Sequence, residues 1–174
     1  MDELTELEDA YNEKLGIALF EVYGTSIPPD ATFTLRISDG VVKGFPYNGT
    51  FASPYTTFYG MYDRYYSFNK EFPWSLPERW ENPPEDFNLS TKFNFITTND
   101  LTGGSSGSAM INKDAEVIGI SFDGNIQGLP GNFIFRTEEN RAVGVHSSAI
   151  IETLEKIYNL TRISEELKSG EMVR

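Results

Sequence analysis

Apolar residues near the start of the chain recur at steps of three and four: Leu4, Leu7, Tyr11, Leu15, Ala18, Leu19 and Val22. That is the period of a helix with one apolar face, and it predicts helix from residue 2 to about residue 22. The pair Pro28-Pro29 ends any helix, since neither residue can donate a backbone hydrogen bond and Pro29 pushes Pro28 toward extended geometry. The period then changes to two. Phe33, Leu35 and Ile37 alternate with Thr32, Thr34 and Arg36, followed by Asp39-Gly40 and Val41-Val42-Lys43, a pattern that predicts a β-hairpin closed by a two-residue turn.

Between Phe45 and Phe95 lie 16 of the 24 aromatic residues and six of the nine prolines, with little sustained periodicity. Prolines at this density break ladders and helices, yet so many rings are not left in water, so an irregular layer packed on a core is expected. A Tyr/Trp platform for sugar or peptide is the alternative use of the same rings. Short apolar or alternating runs follow at Phe93–Thr97, Ala109–Ile111, Val117–Phe122, Asn132–Phe135 and Ala142–Val145. Strands this short, broken by Gly, Asn and Asp, suit an antiparallel barrel or sandwich and not a parallel sheet. Ser147 or Ser148 is then expected to cap a final helix with Ile150, Ile151, Leu154, Ile157 and Tyr158 on one side, and the polar tail from Arg162 onward adds a short turn.

Composition narrows the partners. With 174 residues, 39% hydrophobic and 23% charged, the chain can bury an ordinary single core. A formal net charge of −12 with no basic run argues against nucleic acid and anionic membranes, whose affinity for proteins comes mainly from Lys and Arg. The absence of Cys removes disulfides, thiolate chemistry and Cys-ligated zinc, and a lone His146 cannot build a histidine metal cluster. No apolar run reaches the length that spans a bilayer, and the acidic amino terminus MDELTELEDAYNEKLG lacks the features of a secretory signal, so the compartment stays open.

The densest chemical signal is Gly103-Gly104-Ser105-Ser106-Gly107-Ser108, between two predicted strands. A P-loop would need a Gly-Lys-[Ser/Thr] ending and a following helix; an α/β-hydrolase elbow would need glycine where Ser108 stands. Gly104-x-Ser106-Gly107 matches the spacing around chymotrypsin-type nucleophiles. There the amides of Gly104 and Ser106 would face one oxyanion pocket while the Ser106 hydroxyl attacks the carbonyl seated in it. A plain flexible hairpin loop has the same composition.

The stretch GGSSGSAMINKDAEVIGISFDGNIQGLPGNFIF, with YGTSIPPDATFTLRISDGVVKG, TTFYGMYDRYYSF, LPERWENPP and FNFITTND, resembles the bacterial dipeptidyl-peptidases of the seven and eleven type. These are chymotrypsin-like serine peptidases with a nucleophile segment of the form GGNSGSP and a following FDGN. The resemblance covers nearly the whole chain. It implies a mainly β fold with terminal helices, the second antiparallel β-barrel of a double-barrel peptidase. Residues 1–25 would be the tail of an inserted helical domain, 26–160 the barrel with its closing helix, and 161–174 a polar tail.

By the same resemblance Ser106 is the nucleophile, Gly104 and Ser106 supply the oxyanion hole, and Asp123 helps hold the free α-amino group of the substrate. Gly124 falls where one branch of the family carries an arginine that selects acidic side chains, so an open, uncharged pocket and an apolar penultimate residue are implied. Ser105 replaces the usual asparagine, Ala109 the usual proline, and Asn132 a common aspartate. The family's catalytic histidine and its aspartate partner lie upstream of the matched region, so a truncated gene, an incomplete sequence or half of a split protein is expected, nearly inactive alone. His146, at a strand end, is expected to be structural. No metal or organic cofactor is implied; the partners implied are oligopeptides with free N-termini and, for the complete enzyme, a second copy in a periplasmic or cell-surface setting. A non-catalytic peptide- or carbohydrate-binding β-module is the alternative.

Overall fold

The computed structural model describes residues 3–24, 35, 37–101, 103–132 and 136–173. Helix α1 spans Glu3–Tyr23, as the spacing predicts. Gly24 ends it ahead of the proline pair, which lies outside the described residues; its φ of 58° is a left-handed turn that glycine takes without steric cost. Leu7, Tyr11, Leu15 and Val22 stay exposed and Leu19 is half-buried, so most of the apolar stripe of α1 is uncovered among the described residues.

Most of the first strand expected before Asp39-Gly40 lies outside the described residues, and among the described ones no ladder pairs residues 37–38 with 41–43. Residues 32–34 and 36 lie outside the described residues, and Leu35 and Ile37 are 96% and 91% exposed. The backbone that follows spends its hydrogen bonds elsewhere. Thr98 N–H donates to the Val41 carbonyl at 3.0 Å, Val41 N–H to Thr98 Oγ1 at 3.0 Å, and Lys43 N–H to the Ile96 carbonyl at 3.3 Å. A hairpin joins β1 (Phe45–Tyr47) to β2 (Thr50–Ala52) through Asn48-Gly49, whose φ values of 47° and 72° are those of the turn Asn-Gly favours. Gly44 allows the return: a Cβ there would overlap the Ala52 carbonyl oxygen.

The remaining strands are β3 (Tyr55–Thr57), β4 (Lys92–Thr97), β5 (Ala109–Ile111), β6 (Val117–Gly124) and β7 (Ala142–His146). They form one antiparallel sheet in the order β3-β4-β7-β6-β5, open rather than closed into a barrel among the described residues. Asn132, where a further strand is expected, ends a 3₁₀ segment over Ile126–Asn132, and residues 133–135 lie outside the described residues.

The aromatic stretch is more regular than its composition suggests. It contains helix α2 (Phe58–Ser67) and the short helix α3 (Glu78–Glu81). Phe58, Tyr62 and Tyr65 are one helical face of α2 and are buried, while Tyr59 and Tyr66, which obscure that period in the sequence, are exposed. With Phe87, Ala149 and Ile157 they make the core; Phe58 is fully buried, its ring 4.8 Å from both Phe87 and Phe93.

Helix α4 (Ser147–Glu152) continues into a π-helical turn, Thr153–Ile157. Its N-cap is neither serine but His146, whose Nδ1 accepts the Ser148 N–H at 3.1 Å. The polar tail is helical over more than a turn: α5 (Thr161–Ser169) carries an Arg162–Glu166 pair at 3.2 Å, a Lys168–Glu155 pair to the π turn, and a left-handed Gly170 at its end.

Candidate active site

The Gly/Ser hexamer links β4 to β5 and is stitched onto β6. Gly107 N–H donates to the Ser121 carbonyl at 2.8 Å, and Ser121 N–H to the Ser108 carbonyl at 2.9 Å. Such a close course needs left-handed backbone, and Gly104 (φ 88°) and Gly107 (φ 90°) provide it. Ser108 N–H donates to the Ser105 carbonyl at 3.1 Å, closing the turn, and Ala109 opens β5 opposite Ile120. The Ser106 hydroxyl donates to the Phe122 carbonyl at 3.1 Å, and the residue is exposed.

Strand β6 carries the other candidates. Ser121 pairs with Gly144 and Asp123 with Val143, so two steps on β6 oppose one on β7 and Phe122 is the extra residue of a bulge. Paired residues share a sheet face and neighbours along a strand alternate. Without the bulge Asp123 would fall on the face of Ser121, Gly144 and Phe95, which are buried; with it, Asp123 is turned to the other face and is exposed. The structure thus places Asp123 one residue after the carbonyl that binds Ser106. Gly124 follows, its N–H bonded to Asp123 Oδ1 at 2.8 Å; a Cβ at Gly124 would meet only the Arg141 carbonyl oxygen, at 3.7 Å.

Sequence reasoning missed the polar frame behind this strand end. Arg141 is 3% exposed and donates to five backbone carbonyls, those of Lys43, Gly44, Thr137, Glu138 and Asn140, at 2.7–3.1 Å. Burial pushes its guanidinium pKa down from the usual value. Asn125 N–H donates to the Arg141 carbonyl at 2.9 Å, and Arg141 N–H to Asn125 Oδ1 at 2.8 Å. The one available signal was an arginine at the mouth of an apolar run, where a charge needs an internal partner.

The His146 ring is hydrogen-bonded at the start of α4 and not to Ser106. It lies opposite Gly119, three residues along β6 from Phe122, or about 10 Å at the usual strand rise. Its Nδ1 faces the Ser148 N–H and the Ser148 Oγ at 2.8 Å, and its ring abuts Phe95 and Tyr55. Burial and then the Lys92 cation lower its pKa. A groove of about 380 Å³ lined by Met61, Leu76, Trp80, Phe93, Ile150 and Leu154 opens onto the aromatic core, and none of the candidate site residues lines it. Among the described residues no cluster of His, Asp and Glu could hold a metal ion, and no helix is long and apolar enough to cross a membrane.

The chain as a whole is matched in known proteins. The family model for peptidase S46 matches residues 1–169. The chain belongs to the peptidase S46 family. Among relatives of this S46 chain, dipeptidyl-peptidase 7 of Phocaeicola vulgatus is 35% identical over 148 residues, which cover 80% of this chain and 20% of the relative. The Asp/Glu-specific dipeptidyl-peptidase of Porphyromonas gingivalis is 28% identical over 146 residues, with the same coverage of 80% and 20%. The crystal structure of Porphyromonas endodontalis DPP11 in complex with substrate gives a TM-score of 0.67 at 23% identity, covering 87% of this chain and 23% of that one. That likeness shows the fold, an antiparallel sheet with helices. The S46 chain spans about a fifth of the length of the curated relatives it matches.

Proposed function

We propose that this chain is the nucleophile-bearing part of a serine dipeptidyl-peptidase that releases dipeptides from free N-termini. Ser106 attacks the second peptide carbonyl, the Gly104 and Ser106 amides hold the oxyanion, and water hydrolyses the acyl-enzyme. Asp123 binds the substrate's α-ammonium, and Gly124 leaves room for an apolar penultimate side chain. The observation that carries this reading is the Ser106–Phe122 bond, which ties the loop to β6 next to Asp123. The proton acceptor and its aspartate partner belong to an upstream part, so the chain alone is nearly inactive. In the complete enzyme α1 continues a helical domain, and the assembly is a homodimer in a bacterial periplasm or on a cell surface.

A fluorophosphonate probe tests this. The chain is mixed with the His-bearing upstream part of a complete S46 relative and exposed to the probe. Labelling at Ser106 that disappears in Ser106→Ala supports the peptidase. A folded complex that takes up no label overturns the serine mechanism in favour of a peptide-binding module, and a glycan titration with a response would point to carbohydrate instead.

A further inference from the structure

Arg141 is an unusual cation. A guanidinium offers five N–H donors, and here every one ends on a main-chain carbonyl, so the buried charge is held by peptide dipoles and not by a carboxylate. What the guanidinium fork supplies is shape: it fixes the distances between segments that no strand ladder joins. Lys43 and Gly44 come from the segment entering β1, and Thr137, Glu138 and Asn140 from the turn before β7.

The clamp reaches the candidate site through Asn125. Its backbone and Oδ1 are bonded to the Arg141 main chain, and its Nδ2 donates to the Glu139 carbonyl at 2.7 Å and to Gln127 Oε1 at 3.0 Å. The chain on the C-terminal side of Asp123 and Gly124 is therefore tied to the turn that Arg141 organises, while on the N-terminal side Phe122 is tied to Ser106. Asp123 stands between two anchors.

We propose that Arg141 is a positioning residue for Asp123: its five-carbonyl clamp sets the strand end from which the carboxylate meets a peptide's free α-amino group, and so sets discrimination against blocked N-termini. This inference rests on the reading of Asp123 as the amine anchor. Lysine cannot replace the arginine, because an ammonium has three donors radiating from one atom and cannot bridge two segments at fixed geometry.

The test is a calorimetric titration of the full 174-residue chain with an unblocked apolar dipeptide and with its N-acetyl counterpart. The wild type prefers the free amine by about tenfold or more, the size expected of one charge-assisted hydrogen bond. Asp123→Asn brings that ratio close to one. Arg141→Lys, titrated well below its melting temperature, does the same, whereas a residue serving only the fold would lower the melting temperature and leave the ratio intact. A preserved ratio in Arg141→Lys beside a lost one in Asp123→Asn overturns the positioning role alone. Equal binding of both dipeptides by the wild type overturns the amine-anchor reading and the inference with it. Where Arg141→Lys does not fold, Asn125→Ala cuts the same link at its half-exposed end and is read by the same ratio.

Discussion

The Ser106 hydroxyl donates to the Phe122 carbonyl at 3.1 Å, one peptide unit ahead of Asp123. The proposed nucleophile and the proposed amine anchor are thus referred to the same strand, which is the arrangement an exopeptidase needs if it is to count residues from an N-terminus. In the assembly restored with an upstream part, Ser106→Ala lowers kcat on the order of a millionfold, while KM changes little, because the hydroxyl acts in the transition state. A comparable loss of binding would show instead that Ser106 is a ground-state contact. Dipeptide release followed under saturating substrate separates the two.

Gly124→Arg changes selectivity. A Cβ at this position meets only ordinary contact with the Arg141 carbonyl oxygen, so the backbone can keep its course. The introduced guanidinium favours Asp or Glu at the penultimate position over an apolar residue by about tenfold or more in kcat/KM, the value of one charge-assisted pair. An unchanged preference would mean that Gly124 does not face the side-chain pocket.

Acidification weakens the start of α4. His146 Nδ1 accepts the Ser148 N–H, so that nitrogen is unprotonated and a second proton would set donor against donor. Burial and Lys92 lower the folded-state pKa below the ordinary 6.5. The unfolded chain therefore binds the proton first: the contribution is complete above pH 6.5 and is lost as pH falls through the folded value. Melting temperatures at about pH 7.5 and about pH 5.5 should differ less in His146→Asn, whose amide oxygen can accept the same N–H without titrating. An identical pH response in both proteins would contradict this.

At the alkaline end Tyr62 gives the opposite sign. Burial first, then the neighbouring Tyr66 and Tyr65, push its phenol up to about 12, and the hydroxyl donates to the Trp80 carbonyl at 2.7 Å. The folded state holds this proton longer than the unfolded chain, so stability present below pH 10 declines above it. Burial raises the Tyr65 phenol as well, so ultraviolet titration should show late tyrosines that ionise together with unfolding, and Tyr62→Phe should reduce their number by one.

Two core substitutions separate packing from backbone approach. Phe58→Ala empties the centre of the aromatic cluster and costs about 3–5 kcal/mol. Gly119→Ala adds only a methyl group, yet its Cβ would overlap the Val145 carbonyl oxygen and stand 2.5 Å from Phe95 Cε1, forcing β6 from β7. Chemical denaturation should therefore find the alanine at 119 destabilising too, by about 1–3 kcal/mol as an overpacking change. A neutral effect there would imply that the two strands can part without loss.

The sequence was legible where one period prevailed. Helix α1, the strands from β4 to β7 and the closing helix follow from the spacing of their apolar residues. The Asn48-Gly49 hairpin was not singled out because Asp39-Gly40 is as good a turn dipeptide, and the pairing of residues 41–43 depended on backbone partners in and beside β4 that are distant in sequence. Helix α2 was hidden because its exposed face is as aromatic as its buried one. Ser106 and Asp123 could be named from motif and resemblance, but Arg141 could not: its five acceptors are backbone carbonyls, which have no identity in a sequence.

The bulge at Phe122 makes residue number, and not side-chain chemistry, the guarded property of this stretch. Replacing the phenylalanine by another residue leaves Asp123 in the open, whereas deleting it shifts the reading of the pleat by one and delivers a carboxylate to the packed face beside Phe95. A deletion series through this strand should therefore show its sharpest intolerance at a position that accepts almost any exchange.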